Sequence, residues 1–509
     1  VELGKPEASL VLIDETLFAN TTSKQQGAEL MAIVPIDRFI QDYSDALRQG
    51  TAAIFAGAGL SVAAGFVDWK GLLRPLAEEL NLDMAREHDL VRVAQYHINH
   101  HSNRNDLAQA VLNQFSGRTA TVTENHRILA RLPISVYWTT NYDRSIEQAL
   151  EQGGKVVDVK HRQDQLVQSL HDRDAIVYKM HGDFQNAPEA ILAKEDYERY
   201  HLTRGDFLTA LAGDLLSKTF LFIGFSFSDP NMDYVLSRMF TRYGRNQSKH
   251  FCILRRESEA AGDSAEDVAY RKAKQDYFIK DLERYNIRAV MVDSYDQITE
   301  VLRRVEARHK SKTIFVSGAA HEYGSRWSST EALDFVHKLA WELVARDFRL
   351  VTGLGVGIGS TVVDGALQQV YRVQRRTLRD QLIIRPFPQS VEGKQLWSAY
   401  RDDMLNFAGI AIFMFGNKMS GDPPSVTTSD GVIDEFRIAS EKGLKVLPLG
   451  FTEYAARILY DQVAADFARY FPRSNASFEA MFKLLGDSTR SLPDQLTTTL
   501  SALQELERM

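Results

Sequence analysis

Ala52-Ala53-Ile54-Phe55-Ala56-Gly57-Ala58-Gly59-Leu60-Ser61 runs five apolar residues directly into a glycine-rich turn. A run that short and that apolar suits a strand buried on both faces. Glycines after it let a backbone approach closely and expose N–H groups at a helix start, where a pyrophosphate binds well. A tight turn with no ligand uses the same residues, so the turn alone leaves both readings open. Upstream, a helical pattern runs from Ile36 through Phe39, Tyr43 and Leu47 to Gly50. Downstream comes a mostly helical stretch to about Leu129, then strand-like runs at 134–139, 175–180, 219–225, 251–254 and 288–292. Residues 301–312 are helical and basic, and the pattern then restarts. Strand-like runs at 313–317, 349–352, 382–385, 410–415 and 445–449 alternate with helices, and a polar loop is expected over 416–430. Short β-branched or aromatic runs alternating with helices predict an α/β chain with two Rossmann-like, parallel-sheet domains. Residues 1–34 read as a lead-in, 35–305 as the first domain and 313–509 as the second.

Composition narrows the function. The 509 residues carry 60 Lys and Arg against 67 Asp and Glu, a net charge of −7, so a basic duplex-binding surface is not expected and no nucleic-acid partner is assigned. One cysteine, Cys252, excludes an internal disulfide and any multi-cysteine metal site, which points to a reducing, cytoplasmic setting. The longest apolar runs, near 220–227 and 408–415, are strand-length, and residues 1–6 lack a signal pattern, so no membrane association is expected.

Polar or glycine-rich residues follow four of the first domain's strand-like runs. Beside Gly57, Ala58, Gly59 and Ser61 stand Thr139-Thr140-Asn141-Tyr142-Asp143, His181-Gly182-Asp183 and Gly224-Phe225-Ser226-Phe227-Ser228-Asp229. Ligands of open α/β sheets bind at the carboxyl ends of strands, so these four ends point to one crevice. An amide such as Asn141 can hold a ribose hydroxyl and a water. A carboxylate such as Asp143 can stabilise positive charge, or serve the structure. His181 has the pKa range to take a proton from a hydroxyl or water. The stretch His97-Ile98-Asn99-His100-His101 has no carboxylate at ligand spacing and reads as an exposed helix end, so no metal is expected there.

The order G-A-G-x-S, T-x-N-x-D, H-G, G-x-S resembles the sirtuin family over roughly residues 36–300, most nearly its bacterial sirtuin-like branch, in which a Trp such as Trp69 follows the Gly65 turn. The resemblance implies that Gly57, Ala58, Gly59 and Ser61 line an NAD diphosphate, that Thr139 also binds NAD, and that Asn141 and Asp143 sit near the nicotinamide ribose. It makes His181 the base or orienting group and brings Gly224 and Ser226 to the adenosine half. Deacetylating sirtuins carry a four-cysteine zinc module, which this chain lacks. That favours water as acceptor, with NAD as substrate, no cofactor and no zinc. Protein deacylation, ADP-ribosyl transfer and a non-catalytic nucleotide sensor are the alternatives.

In the second domain Ser317 and Gly318 end one strand, and Gly353, Gly355, Gly357, Gly359 and Ser360 form a dense loop opening a helix. Such a loop is a phosphate cradle. Arg385 and Arg401 can grip phosphates bidentately, Lys418 follows another strand, and Glu435 can accept ribose hydroxyls. This half resembles the SLOG superfamily, whose lonely-guy relatives cleave an N-glycosidic bond. Here Thr427-Thr428-Ser429-Asp430-Gly431 replaces their Pro-Gly-Gly-x-Gly-Thr run, which favours a sensor. A sirtuin-like domain followed by a SLOG domain resembles the effectors of Thoeris anti-phage defence. That resemblance implies a cyclic ADP-ribose isomer made by a TIR-domain partner, ThsB, as the activator, NAD destruction as the output, and a homotetramer or higher assembly.

Overall fold

The computed structural model describes residues 32–116, 121–244, 246–260, 262–372, 381–388 and 390–509. Most of the lead-in at 1–34 lies outside them. The chain divides into two compact units, Val1–Val305 and Glu306–Met509.

The first unit is built on seven parallel strands: β1 (Ala52–Ala56), β2 (Val136–Thr139), β3 (Val157–Lys160), β4 (Ala175–Lys179), β5 (Thr219–Ile223), β6 (His250–Arg255) and β7 (Ile287–Val292), in the order β3-β4-β2-β1-β5-β6-β7. All five residues of β1 are buried. Because strand side chains alternate, Ala52, Ile54 and Ala56 enter one core while Ala53 and Phe55 enter the core on the opposite face. A third core lies in the helical region after the glycine turn. There Leu73, Val93, Val111 and Phe115 pack with Tyr142 and Leu192.

The second unit has five parallel strands, β8 (Thr313–Ala319), β9 (Arg349–Thr352), β10 (Leu382–Ile384), β11 (Ile410–Phe415) and β14 (Lys445–Pro448), in the order β10-β9-β8-β11-β14. The expected polar loop at 416–430 is instead an antiparallel hairpin of β12 (Asn417–Ser420) and β13 (Ser425–Thr428). Its alternating, mostly polar residues carry little apolar signal. The run expected over 219–225 stops at Ile223, because Gly224 turns the chain at φ +63.

Each sheet reverses its winding at a central strand pair. The reversal lies between β1 and β5 in the first unit and between β8 and β11 in the second. At such a switch point the connections leave in opposite directions and a crevice opens at the carboxyl ends.

Candidate functional site

The turns after β1 and β5 interlock at the first switch point. Gly57 N–H donates to Ile223 O at 3.0 Å, and Gly59 N–H donates to Gly224 O at 2.9 Å. A Cβ on Gly57 would lie 2.4 Å from Gly224 O, and one on Gly224 would lie 2.3 Å from Leu60 N. Side chains are therefore excluded here by backbone contact. Ala58 opens a short helix, Ala58–Val62, and Gly59 stays exposed.

Asn141 and Asp143 close the floor of this turn. Thr139 Oγ1 donates to Ala56 O at 3.0 Å and accepts from Asn141 N at 3.0 Å. The Asn141 amide donates to Gly57 O and to Ser61 Oγ, each at 2.9 Å. Ser61 Oγ in turn donates to Asp143 Oδ2 at 2.6 Å, while Asp143 Oδ1 accepts from Ser145 N at 2.8 Å. Each Asp143 oxygen thus has a protein partner. The carboxylate aligns Ser61 and, through it, Asn141.

His181 follows β4 and faces a residue from the other side of the switch. Its Nε2 lies 3.0 Å from Asp229 Oδ2, outside hydrogen-bonding alignment, and both side chains are buried. Burial alone would raise the Asp229 carboxyl. His181 and the backbone N–H groups of Met232 and Asn231 instead hold it below its ordinary value. Asp229 also caps helix Pro230–Tyr243 through Met232 N, and Tyr197 OH lies 3.4 Å from its Oδ2. Trp69 stacks on Tyr197 with centroids 6.4 Å apart, and Tyr197 meets the His181 ring edge-on at 5.5 Å. Under the floor, buried Lys179 sits 3.0 Å from Glu147 and 2.6 Å from Asp183 and also donates to Asp143 O, so it ties the ends of β2 and β4 together.

At the second switch point the glycine loop is pressed onto β8. A Cβ on Gly355 would lie 1.8 Å from Gly318 O, and one on Gly357 would lie 1.9 Å from Ala320 O. Ser317 Oγ donates to Glu435 Oε2 at 2.5 Å. Arg401 Nε lies 3.6 Å from Glu435 Oε1, and its guanidinium covers Phe387 at 5.3 Å and Trp397 at 5.8 Å. Burial pushes the Glu435 carboxyl up to about 7, with Ser317 and Arg401 opposing the rise. Arg385 is different: it is half exposed and already paired with Asp403 at 3.2 Å. Lys418 is half-buried and pairs with exposed Asp430 at 2.5 Å. Gly353 packs against Phe387, and Gly359 and exposed Ser360 begin helix Gly359–Arg372.

The fold therefore joins Gly57, Gly59, Ser61, Thr139, Asn141, Asp143 and Gly224 through direct contacts. Exposed Ser226 hydrogen-bonds along its own loop, to Ser228 at 2.7 Å. Asp229 and Tyr197 were not singled out from sequence. Asp229 stands at the end of the quoted glycine turn, but its 48-residue separation from His181 is closed only by the sheet. A four-cysteine zinc group does not fit this chain, because Cys252 is buried in β6 with its thiol pushed up by burial. The expectation of an exposed end at 97–101 needs correction: His97 is fully buried, and its Nε2 meets Glu79 at 2.8 Å.

Residues 135–288 match the family described as a SIR2-like domain, and residues 297–505 match the Sir2- and TIR-associating SLOG family. Relatives align over nearly the whole chain. One named NAD(+) hydrolase ThsA, from Bacillus cereus (strain MSX-D12), is 44% identical over 92% of this chain and 98% of its own length. A protein of the same name from Acinetobacter baumannii (strain 532279) is 43% identical over 94% of this chain and 98% of its own. A third, from Enterococcus faecium, is 39% identical over 92% and 98%.

Proposed function

The chain belongs to the family of the NAD(+) hydrolase ThsA proteins, and from that premise we propose that its first unit hydrolyses NAD at the crevice between β1 and β5. The observation that carries this reading is the convergence of an aligned amide, Asn141, and a buried histidine–carboxylate pair, His181 and Asp229, at the ends of strands flanking a backbone turn fit for a diphosphate.

The chemistry follows from these groups. The bond between ribose C1′ and the nicotinamide nitrogen breaks. Its electron pair leaves with nicotinamide, which departs neutral, and C1′ gains oxocarbenium character. Asn141 holds a ribose hydroxyl and the attacking water in line. Water forms the new C1′–O bond, and its proton passes to His181, giving ADP-ribose and nicotinamide. Asp229, 3.0 Å from the His181 ring, stabilises the positive charge that develops on it as the proton arrives. Asp143 is a positioning residue, since its oxygens are engaged by Ser61 and Ser145. No metal or cofactor enters these steps.

The second unit takes a nucleotide signal at the Ser317–Glu435–Arg401 cluster, with the loop Gly353–Gly359 near its phosphates. A cyclic ADP-ribose isomer made by a TIR-domain partner such as ThsB suits a site that offers a guanidinium for phosphate and a carboxylate for ribose. The setting is an anti-phage response in the cytoplasm, with a homotetramer or higher assembly as the acting species. The signal must bind the active state more tightly than the resting one, since equal affinity shifts nothing. The test is nicotinamide release by Asn141→Ala and His181→Ala proteins. Full release by either sinks the catalytic assignment.

A further inference from the structure

The histidine stretch set aside from sequence acquires a carboxylate from the fold. His97 and His101 stand one turn apart on helix Leu90–His101, so both rings project from one face. Their centroids are 4.4 Å apart. Glu79, the last residue of helix Trp69–Glu79, reaches them from outside the stretch. Its Oε2 is 2.8 Å from His97 Nε2 and 3.7 Å from His101 Nε2. One ligand atom from each of the three residues falls within 4.8 Å of the others.

Charge favours a cation at this place. Glu79 and His101 each end a helix, so the partial negative ends of two helices meet beside the Glu79 side chain. His97 is buried completely, which presents its ring without freedom to turn away.

We propose that Glu79, His97 and His101 bind one zinc-class divalent transition-metal ion. Two imidazole nitrogens and one carboxylate oxygen fill three positions of a tetrahedron, and water takes the fourth. Bonds of about 2.0–2.2 Å place tetrahedral ligand atoms roughly 3.4 Å apart. The 2.8 and 3.7 Å separations bracket that value, so small side-chain shifts complete the sphere. The imidazoles select zinc, nickel or copper over magnesium and calcium, which prefer all-oxygen sites. The ion clips two helices of the region that begins at Trp69, the residue stacked on Tyr197 beside His181. Its expected role is to stiffen that wall, and it takes no part in bond cleavage.

The test uses the full-length, tag-free protein, stripped with a chelator and titrated with zinc chloride against a chromophoric competitor. One zinc per chain is expected, together with a rise in Tm. Glu79 and His101 reach solvent, so Glu79→Gln and His101→Gln should fold, as circular dichroism will show. Each should bind zinc at least about tenfold more weakly and lose the Tm rise. The cobalt-loaded protein should show visible d–d absorption that disappears in His101→Gln. Zinc uptake equal in the wild type and both variants overturns the site, as does a wild-type Tm that zinc leaves unmoved.

Discussion

The two switch points share one device and differ in the polar groups around it. Each presses a glycine turn so tightly onto a neighbouring strand end that a Cβ would collide with backbone. What surrounds the turn differs. In the first unit, a neutral amide is clamped by Gly57 and Ser61, and a histidine stands against a carboxylate held ionised. In the second, a guanidinium lies across two aromatic rings beside a carboxyl that burial raises to about 7. The first set can align water and move a proton. The second offers a guanidinium and a carboxyl, groups suited to phosphates and hydroxyls. On the proposed reading, a shared loop geometry marks where a nucleotide sits, and the flanking polar groups decide whether it reacts or is only held.

The largest expected effect separates the sites cleanly. His181→Ala should lower NAD cleavage by about 10²–10⁴-fold, the range of acid–base catalysis, while cyclic ADP-ribose binding, followed by calorimetry, stays unchanged. Asp229→Asn should lower cleavage by roughly 10–100-fold, less than loss of the histidine itself, and shift the pH–rate profile, which a purely structural role would leave in place. In the second unit, Arg401→Ala should raise the activating concentration of the cyclic nucleotide about 10–100-fold, the worth of a charge-assisted hydrogen bond. Arg385→Ala should move it less than about fivefold, because that half-exposed group is already paired with Asp403. Equal effects at the two arginines would break the distinction drawn between them.

The smallest effects concern pH. Burial lowers His126 to about 4 and His250 to about 3, from 6.5. Both are neutral in the folded first unit, whereas the unfolded chain takes up protons below pH 6.5. Their contribution is fully present above that pH and is lost as pH falls toward 4 and then 3. The slope approaches about 1.4 kcal/mol per pH unit for each histidine. Urea unfolding between pH 7 and 4.5 measures it, and a flat profile would contradict the burial. Glu435 has the opposite sign: its raised carboxyl favours folding most at low pH, and that contribution fades as pH rises through about 7. Cyclic nucleotide binding should therefore vary with pH around neutrality in the wild type and flatten in Glu435→Gln.

Sequence revealed the strands whose two faces are both buried. β1, β9 and β11 stand where their apolar runs place them, since each run has its own turn signal. β3 escaped notice because Asp158 and Lys160 break its apolar pattern. In the fold they pair with each other at 2.7 Å, and Asp158 also pairs with Arg173 at 2.9 Å. The hairpin β12–β13 escaped because its apolar residues are a single cross-strand pair, Met419 and Val426, among polar neighbours. Asn141 and His181 were legible because each follows a strand-like run. Asp229 as their companion was not, nor was Glu79 beside His97. Both depend on side chains meeting across tertiary packing, which no local spacing records.

The central claim, that the first unit cleaves NAD when the second holds its nucleotide, is tested most directly by nicotinamide release from NAD by the purified protein, with and without cyclic ADP-ribose isomers. Release should rise with one isomer in the wild type and vanish in His181→Ala with that isomer present. Release that no isomer changes would contradict the coupling. Undiminished release by His181→Ala would contradict the site itself.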